Sequence, residues 1–322
     1  MDRGAIGVEP LWSPKDAIVD IVFIHGLNGN RELTWTNEAG LFWPKDLLPN
    51  DIPQASILTW GYDANVLPEK FLGVISKNSI KNHAETFCLN LQQYRTTTNS
   101  KTKERPLILV AHSLGGLALL LSPINDTCKL SKDLYGIIFL GTPHRGTSIA
   151  DLGAIVASLV AFFVQVNQGM LKELKAEALP LTELEDDFAA LMRGSPDGGG
   201  SVKVVCLHEE LPECSTKRKV VEPHSAVIPG TDRASIHACH TKMTKFSGPE
   251  DPGYKTIRDR LKEWVTDIRN QQAQDSSASS TAAQGSTFAH YGDVKDNGLS
   301  IQGNQTFSGS QSFGGTHTHQ SG

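Results

Sequence analysis

One serine of the chain lies where an apolar run meets a pair of glycines. Leu107–Ala111 is apolar throughout, Ser113 follows two residues later, and Gly115 and Gly116 precede a second apolar run. Continuous apolar runs are typical of buried strands, so Ser113 is predicted at the turn from a strand into a helix. Small residues two positions before and after a serine allow a sharp turn that exposes its hydroxyl group, and Ala111 and Gly115 occupy these positions. The segment predicts a nucleophilic serine, the alternative being a serine that only caps the following helix.

A glycine turn nearer the N-terminus could serve the same reaction. His25-Gly-Leu-Asn-Gly29 directly follows the apolar run Ile18–Ile24. Acyl transfer to a serine creates a negatively charged oxygen, which needs two backbone N–H donors. Leu114, directly after the serine, is the first expected donor, and Leu27 in the glycine turn is the second. His25 is expected to order this turn, and an ordinary glycine turn is the alternative for the whole segment.

The carboxylate that such a serine requires should follow it in the chain. On a parallel sheet, a triad of this kind commonly runs in the order serine, acid, histidine. Glu209 and Glu210 come directly after the apolar run Val202–Leu207, where a late strand would place an acid at the same edge of the sheet as the serine. Asp232 is a third candidate, and a solvated turn is the alternative for the two glutamates.

The general base should be a histidine beyond the acid. His237 and His240 both satisfy this order, and either could take the proton of Ser113. Their spacing would also suit a metal ion, but apart from Cys239 no acidic or thiolate ligand set surrounds them in the sequence. His144 precedes every candidate acid and is expected to be structural. No metal and no organic cofactor is therefore predicted.

Short apolar runs alternate with helical patterns along most of the chain. Strands that alternate with helices predict an α/β fold with a parallel sheet covered on both faces. The stretch from Gly146 to Ser195 is longer than an ordinary crossover, so a helical cap is expected at about residues 147–195. The predicted strands are Ile18–Ile24, Ser56–Trp60, Leu107–Ala111, Tyr135–Leu140 and Val202–Leu207, and the helical patterns are Glu85–Thr96, Leu114–Leu121 and Ile149–Leu191.

The composition of the chain changes near Gln271. Before it, apolar residues from Tyr254 to Ile268 recur at helical spacing and predict a closing helix that ends at about Gln271. After it, Gly, Ser, Thr, Gln and Asn predominate, and such a segment buries too little apolar surface to fold alone. The expected organisation is a folded domain at residues 1–272, a linker at 273–284 and a low-complexity tail at 285–322.

The tail contains a short internal repeat. Gln305-Thr-Phe-Ser-Gly309 recurs as Gln311-Ser-Phe-Gly-Gly315. Aromatic residues spaced by Gly, Asn, Gln and Ser, with little charge and no proline, can stack as in-register strands. The tail is therefore predicted either as a flexible segment or as an amyloid-forming motif.

The overall composition excludes several classes of protein. The chain has 322 residues, a net charge of −5 and a pI of about 6.1, which argues against nucleic acid as a partner. The five cysteines show no CxxC spacing, so neither a disulfide framework nor a zinc site is indicated. Met1–Gly4 opens no apolar run, and the uncharged stretch Leu152–Leu171 is too polar to span a membrane. The expected location is the cytoplasm.

Three segments in this order carry a resemblance to known proteins. The sequences HGLNG at residues 25–29, AHSLGG at 111–116 and FLGTPHRGT at 139–147 together resemble the α/β-hydrolase lipase and esterase superfamily. Within it, the chain resembles the intracellular branch near GPI-inositol deacylases and mitochondria-associated serine-active-site proteins. It most resembles the lipase-like N-terminal domains of fungal NOD-like receptors and their stand-alone relatives. The resemblance covers roughly Val19 to Ile268.

The resemblance implies the α/β-hydrolase fold and selects among the candidate site residues. Its members carry an aromatic residue, Tyr and Glu where this chain has Leu207, His208 and Glu209, which favours Glu209 as the acid. They also carry His followed by Ser or Thr, then Met, Lys or Arg, and Phe at fixed spacing. The segment from His240 to Phe246 fits that pattern, so His240 is favoured as the base.

The resemblance also implies an activity and a set of partners. It implies a serine hydrolase of carboxylic esters, in particular lipid esters, that is an effector in fungal heterokaryon incompatibility or immune-like cell death. The tail resembles the prion-like motifs that accompany fungal NOD-like receptors, which implies such a receptor as a partner through amyloid templating. Contact with a membrane surface on activation is a further expectation. The alternative function is a catalytically weak signalling module that is recruited through its tail.

Overall fold

The computed structural model describes residues 6–26, 28–62, 77–98, 105–116, 129–144 and 201–284. The chain divides into two units, Met1–Asp275 and Ser276–Gly322, and the sheet lies in the first. Leu27, the predicted cap at about residues 147–195 and the tail at 285–322 lie outside the described residues. Within the described ranges, no helix is long and apolar enough to cross a membrane.

The first unit is built on one sheet. Its strands in the described part of the chain are β1 (Gly7–Trp12), β2 (Val19–Ile24), β3 (Ala55–Gly61), β4 (Leu107–His112), β5 (Leu134–Leu140), β6 (Lys203–Glu209) and β7 (Asp232–Ile236). They lie in the order β1-β3-β2-β4-β5-β6-β7. β1 is antiparallel to β3, and every other neighbouring pair is parallel. This mostly parallel sheet is that of the predicted α/β-hydrolase fold.

Apolar composition explains the central strands. Every residue of β2, β3 and β4 is buried, as expected for strands that are covered on both faces. The five predicted strands are confirmed, with ends that differ by at most two residues. β1 and β7 escape prediction because they lie at the two edges of the sheet, where polar residues such as Glu9 and Asp232 interrupt the apolar pattern.

Helices cover both faces of the sheet. On one face, α1 (Trp43–Asp46), α2 (Leu48–Asp51) and α4 (Pro252–Gln284) contribute to a core that includes alternate residues of the strands. On the other face, α3 (Lys77–Thr98) contributes Phe87 and Leu91 to a second core. The predicted helix Glu85–Thr96 lies within α3. Of the predicted helix Leu114–Leu121, only the first turn, up to Gly116, is among the described residues.

The last helix is longer than the sequence predicts. Its apolar stripe, which ends at Ile268, is buried as expected. The backbone nevertheless stays helical to Gln284, through the segment predicted as a linker, and does not end at about Gln271. No Gly or Pro occurs between Tyr254 and Gln284 to end it. Residues 269–277 of this extension are all exposed, so that part of the helix adds no packing to the core.

Candidate active site

Ser113 lies at a sharp turn between β4 and a helical turn that begins at Leu114. Its φ of 54° is in the left-handed region, which is unfavourable for a residue with a side chain. Both following glycines are required by close packing. A Cβ atom at Gly115 would overlap the His25 carbonyl group, and one at Gly116 would overlap Thr142. The local sequence therefore makes a strained turn possible and fixes the position of the Ser113 hydroxyl group.

The three favoured site residues meet at this turn. His240 Nε2 lies 3.0 Å from Ser113 Oγ, and His240 Nδ1 lies 3.4 Å from Glu209 Oε2. All three residues are buried. The other carboxylate oxygen, Oε1, accepts hydrogen bonds from the backbone N–H groups of Val220 and Val221 at 3.0 and 2.7 Å. The acid is therefore held in place independently of the histidine.

The electrostatics of the site suit an ionised acid. Burial raises the pKa of the Glu209 carboxyl group, but the hydrogen bond from His240 and the backbone N–H donors outweigh burial and hold the pKa below its usual value. An ionised Glu209 accepts a hydrogen bond from His240 Nδ1–H. Nε2 is then left with a lone pair that can take the proton of Ser113.

The competing candidates are occupied elsewhere. Glu210 accepts hydrogen bonds from Ser235 and from His237, whose Nδ1 lies 2.6 Å from Glu210 Oε2. His237 is largely exposed, with 78% of its side-chain surface open. Asp232 forms an ion pair with Arg260 at 3.0 Å. The structure thus brings together Ser113, His240 and Glu209, and it leaves Glu210, His237 and Asp232 outside this cluster.

The glycine turn after β2 lies directly against the serine. Leu27 is outside the described residues, but its neighbour Gly26 has room for no side chain. A Cβ atom there would lie 2.8 Å from Ser113 Cβ. Leu114, the other predicted donor, is buried next to Ser113. Gly26 of the glycine turn and Leu114 therefore both lie next to Ser113.

His25 holds this glycine turn. Its Nδ1 lies 2.9 Å from the Gly26 carbonyl oxygen, and its Nε2 accepts the backbone N–H of Tyr62 at 3.3 Å. The His25 and Tyr62 rings stack with centroids 4.4 Å apart. Burial lowers the pKa of His25 to about 4, so the ring is neutral and can donate from one nitrogen while it accepts at the other.

The loop that carries His240 is held in place by side chains that the sequence alone does not predict. Glu213 accepts the backbone N–H of Thr241 at 2.7 Å. Lys245 Nζ donates to the carbonyl oxygens of Leu33 and Thr36, the latter at 2.9 Å. The pattern of Thr, Met, Lys and Phe after the histidine was a signal for these contacts, because the four side chains pack against or form hydrogen bonds with residues outside the loop.

Gly141, in the FLGTPHRGT segment, makes room for the His240 ring. Its φ is +56°, and a Cβ atom there would lie 2.9 Å from His240 Cε1 and Nδ1. His144, from the same segment, is directed away from the cluster. Its Nε2 lies 3.8 Å from Cys206 Sγ, its ring packs against Phe139, and burial lowers its pKa to about 3. Among the described residues, no group of His, Cys, Asp and Glu side chains is arranged to hold a metal ion.

Comparisons with known proteins give distant relatives. No family model matches the chain. The chain is 28% identical over 251 residues to Protein SERAC1 of Danio rerio and 25% identical over 267 residues to Protein SERAC1 of Homo sapiens. These alignments cover 70% and 75% of this chain but 36% and 38% of the relatives, so the chain spans little more than a third of their length.

Solved structures of lipases and esterases are similar at low identity. For the mature lipase BlEst2 of Bacillus licheniformis, the TM-score is 0.42 and the identity 17%, over 74% of this chain and 91% of that one. For a thermophilic esterase of Thermogutta terrifontis with malate bound, the TM-score is 0.45 and the identity 13%, over 81% of this chain and 93% of that one.

Proposed function

We propose that the protein is a serine hydrolase of carboxylic esters. The observation that carries this proposal is the line of hydrogen bonds from Ser113 Oγ to His240 Nε2, at 3.0 Å, and from His240 Nδ1 to Glu209 Oε2, at 3.4 Å. A serine hydroxyl group becomes a useful nucleophile only when a positioned base removes its proton, and a carboxylate keeps that base in the correct tautomer.

The reaction follows from this geometry in two halves. Ser113 Oγ attacks the ester carbonyl carbon while His240 takes the hydroxyl proton, and the carbonyl oxygen becomes negatively charged. The backbone N–H groups of Leu114 and Leu27 donate to that oxygen. His240 then gives its proton to the departing alcohol, which leaves the acyl group on Ser113. Water then attacks this ester while His240 takes a proton from it, and His240 returns that proton to Ser113 Oγ as the carboxylic acid leaves.

Labelling with a fluorophosphonate probe tests this proposal directly. We expect the full-length protein to form one covalent adduct, which mass spectrometry locates on Ser113. Ser113→Ala should abolish both the adduct and ester hydrolysis. Ser235→Ala, which changes an exposed serine outside the cluster, should leave both at the wild-type level. An unlabelled wild-type protein that hydrolyses no ester would favour the alternative, a catalytically weak signalling module.

We propose lipid esters as the substrate class within this reaction type. The support is the resemblance of the HGLNG, AHSLGG and FLGTPHRGT segments to lipases and esterases. A triad alone does not specify the leaving group, so thioesters and peptide bonds are the competitors. Hydrolysis rates on short-chain esters, long-chain esters, a phospholipid, a thioester and a peptide amide compare them. Faster turnover of the thioester or the amide would replace the lipid proposal.

We further propose that the hydrolase is an effector in fungal incompatibility or immune-like cell death, and that its tail at residues 285–322 receives the signal. The support is the repeat of Gln305–Gly309 at Gln311–Gly315, the resemblance of the tail to prion-like motifs, and the resemblance of roughly Val19 to Ile268 to fungal receptor-associated lipases. In this proposal a NOD-like receptor segment templates the tail as stacked strands in the cytoplasm, and the assembled hydrolase acts at a membrane surface.

The tail peptide provides the test of this signalling role. Residues 285–322 should form fibrils that bind thioflavin T and give a cross-β reflection at about 4.8 Å. Gln305→Pro should prevent fibril formation, because proline removes a backbone donor from the stacked strands. A peptide that stays monomeric at high concentration, even when seeded, would leave the tail as a linker. Sedimentation of the full-length protein with phospholipid vesicles, with and without fibrils, tests the membrane contact.

A further inference from the structure

His112, the last residue of β4, is buried directly before Ser113. Its Nε2 lies 3.2 Å from the backbone carbonyl oxygen of His240. A carbonyl oxygen can only accept a hydrogen bond, so His112 Nε2 carries the proton and donates it. The residue before the candidate nucleophile thus bonds to the backbone of the candidate base, which is 128 positions away in the sequence.

The same residue also contacts the glycine turn. A Cβ atom at Gly26 would lie 3.3 Å from His112 Nδ1 and 2.9 Å from the His112 carbonyl oxygen. His112 therefore stands between the turn after β2 and the loop that carries His240, and it is covalently joined to Ser113. A displacement of this side chain would change the spacing of all three parts of the site.

The charge state of His112 matters because of what His240 must do. The two rings have centroids 4.9 Å apart at an angle of 40°. Burial lowers the pKa of His112 well below its usual value, the nearby His240 lowers it further, and His25 and Lys245 oppose a positive charge in the same way. His240 becomes positively charged when it takes the serine proton. A neutral neighbour stabilises that charge better than a second cation would.

We propose that His112 is a positioning residue for His240. The neutral His112 ring donates from Nε2–H to the His240 backbone and so holds the His240 ring in contact with Ser113 Oγ. This inference rests on the proposed ester hydrolase function and deepens it. In this proposal His112 is not itself a reacting group. It acts through the geometry of the base, so its loss should lower the rate of the chemical step and leave substrate binding nearly unchanged.

Two variants separate this role from simple packing. His112→Gln keeps an amide N–H close to the place of Nε2, whereas His112→Leu fills similar space without a donor. We expect His112→Leu to lower kcat and the rate of fluorophosphonate labelling about tenfold to a hundredfold, as for one lost buried hydrogen bond in a catalytic cluster, with KM within about twofold. His112→Gln should recover most of that loss, and thermal unfolding checks that both variants are folded.

The outcomes are distinguishable from those of the parent proposal. Wild-type rates in His112→Leu, or a folded His112→Gln as slow as His112→Leu, would overturn the positioning role. If the wild-type protein itself is neither labelled nor active, the ester hydrolase proposal fails. In that case, or if His112→Leu does not fold, ¹⁵N NMR of the wild-type histidines decides. The Nε2–H tautomer of His112 should persist when the pH falls below the ordinary histidine pKa. An Nδ1–H tautomer or ordinary titration would overturn the inference.

Discussion

Glu213 accepts the backbone N–H of Thr241 at 2.7 Å, directly after the candidate base His240. It also accepts a hydrogen bond from the Thr241 hydroxyl group at 3.2 Å. A buried carboxylate that bonds to a backbone amide fixes the path of the chain at that point. The loop that carries the base is thus held by one glutamate from outside, while Glu209 holds the imidazole ring itself.

This relationship predicts that Glu213 supports the rate without touching substrate. Glu213→Ala leaves a partly buried N–H group without its acceptor, which costs at most about 3 kcal/mol of stability. We expect a lower unfolding midpoint and a kcat reduced about tenfold, since a misplaced base slows the chemical step. Glu213→Gln retains an acceptor oxygen and should recover most of the activity. Glu210→Ala, at an exposed neighbouring carboxylate, is the matched control and should turn over normally.

The assignment of base and acid gives a second prediction, tested by paired variants. His240→Ala should lose nearly all esterase activity, while His237→Ala should retain it, because only His240 reaches Ser113. Glu209→Gln should cost less than His240→Ala, since the acid orients the base and does not react itself. Steady-state kinetics on a short-chain ester measure all three. Normal turnover in His240→Ala together with loss in His237→Ala would reverse the assignment.

The sequence predicts the parts of the site that depend on local pattern. The turn at Ser113 was predictable because an apolar strand and small flanking residues are neighbours in the chain. The choice of Glu209 over Glu210 was not predictable from the local pattern. Adjacent residues at the end of a strand differ only in the face of the sheet to which their side chains point. The resemblance to a family decided that choice at the sequence level. In the structure, Glu209 faces His240 and Glu210 faces Ser235 and His237.

Long-range contacts explain what the sequence could not predict. Lys245 bonds to Thr36, which is 209 positions away, and nothing in either segment alone indicates the other. Likewise β7 is short and polar because it is an edge strand, so no apolar run in the sequence predicts it. The fold class follows from patterns within single elements, whereas the supports of the site follow from how these elements meet.

Buried neutral histidines predict a third property, which is sensitivity to acid. Burial lowers the pKa of His25 to about 4 and that of His144 to about 3. The unfolded chain takes up these protons already below about pH 6.5, so it binds more protons than the folded state between these values. Stability is therefore lost as the pH falls through this window, by about 1.4 kcal/mol per pH unit for each such histidine.

Urea unfolding at several pH values between about 7 and 4.5 measures this slope. His144→Phe removes one buried titrating ring and should flatten the dependence by about one proton. An equal slope in the wild-type protein and His144→Phe would contradict the assignment of a neutral buried ring at position 144.

The fourth prediction concerns Gly141. A comparison with Gly40 separates the cost of the left-handed backbone conformation from the overlap with the His240 ring. Gly141 and Gly40 both have a positive φ, of +56° and +85°. Alanine at either position costs about 1–2 kcal/mol for the left-handed conformation. Only at Gly141 would the new Cβ meet the His240 ring, at 2.9 Å, because nothing lies within 4 Å of that position at Gly40. Gly141→Ala should therefore lose more stability than Gly40→Ala, and only Gly141→Ala should lose activity.

We expect Gly141→Ala to lower kcat at least about tenfold, because a shift of the His240 ring by a fraction of an ångström disrupts its hydrogen bond with Ser113. Gly40→Ala should hydrolyse the same ester at a rate close to that of the wild-type protein. Unfolding midpoints of both variants, measured alongside the kinetics, show whether stability alone accounts for the difference. If both variants lose activity in proportion to their stability, His240 does not depend on the space at Gly141. If Gly141→Ala alone is slow at a temperature where both variants are fully folded, the FLGTPHRGT segment contributes to the site by leaving room for the base.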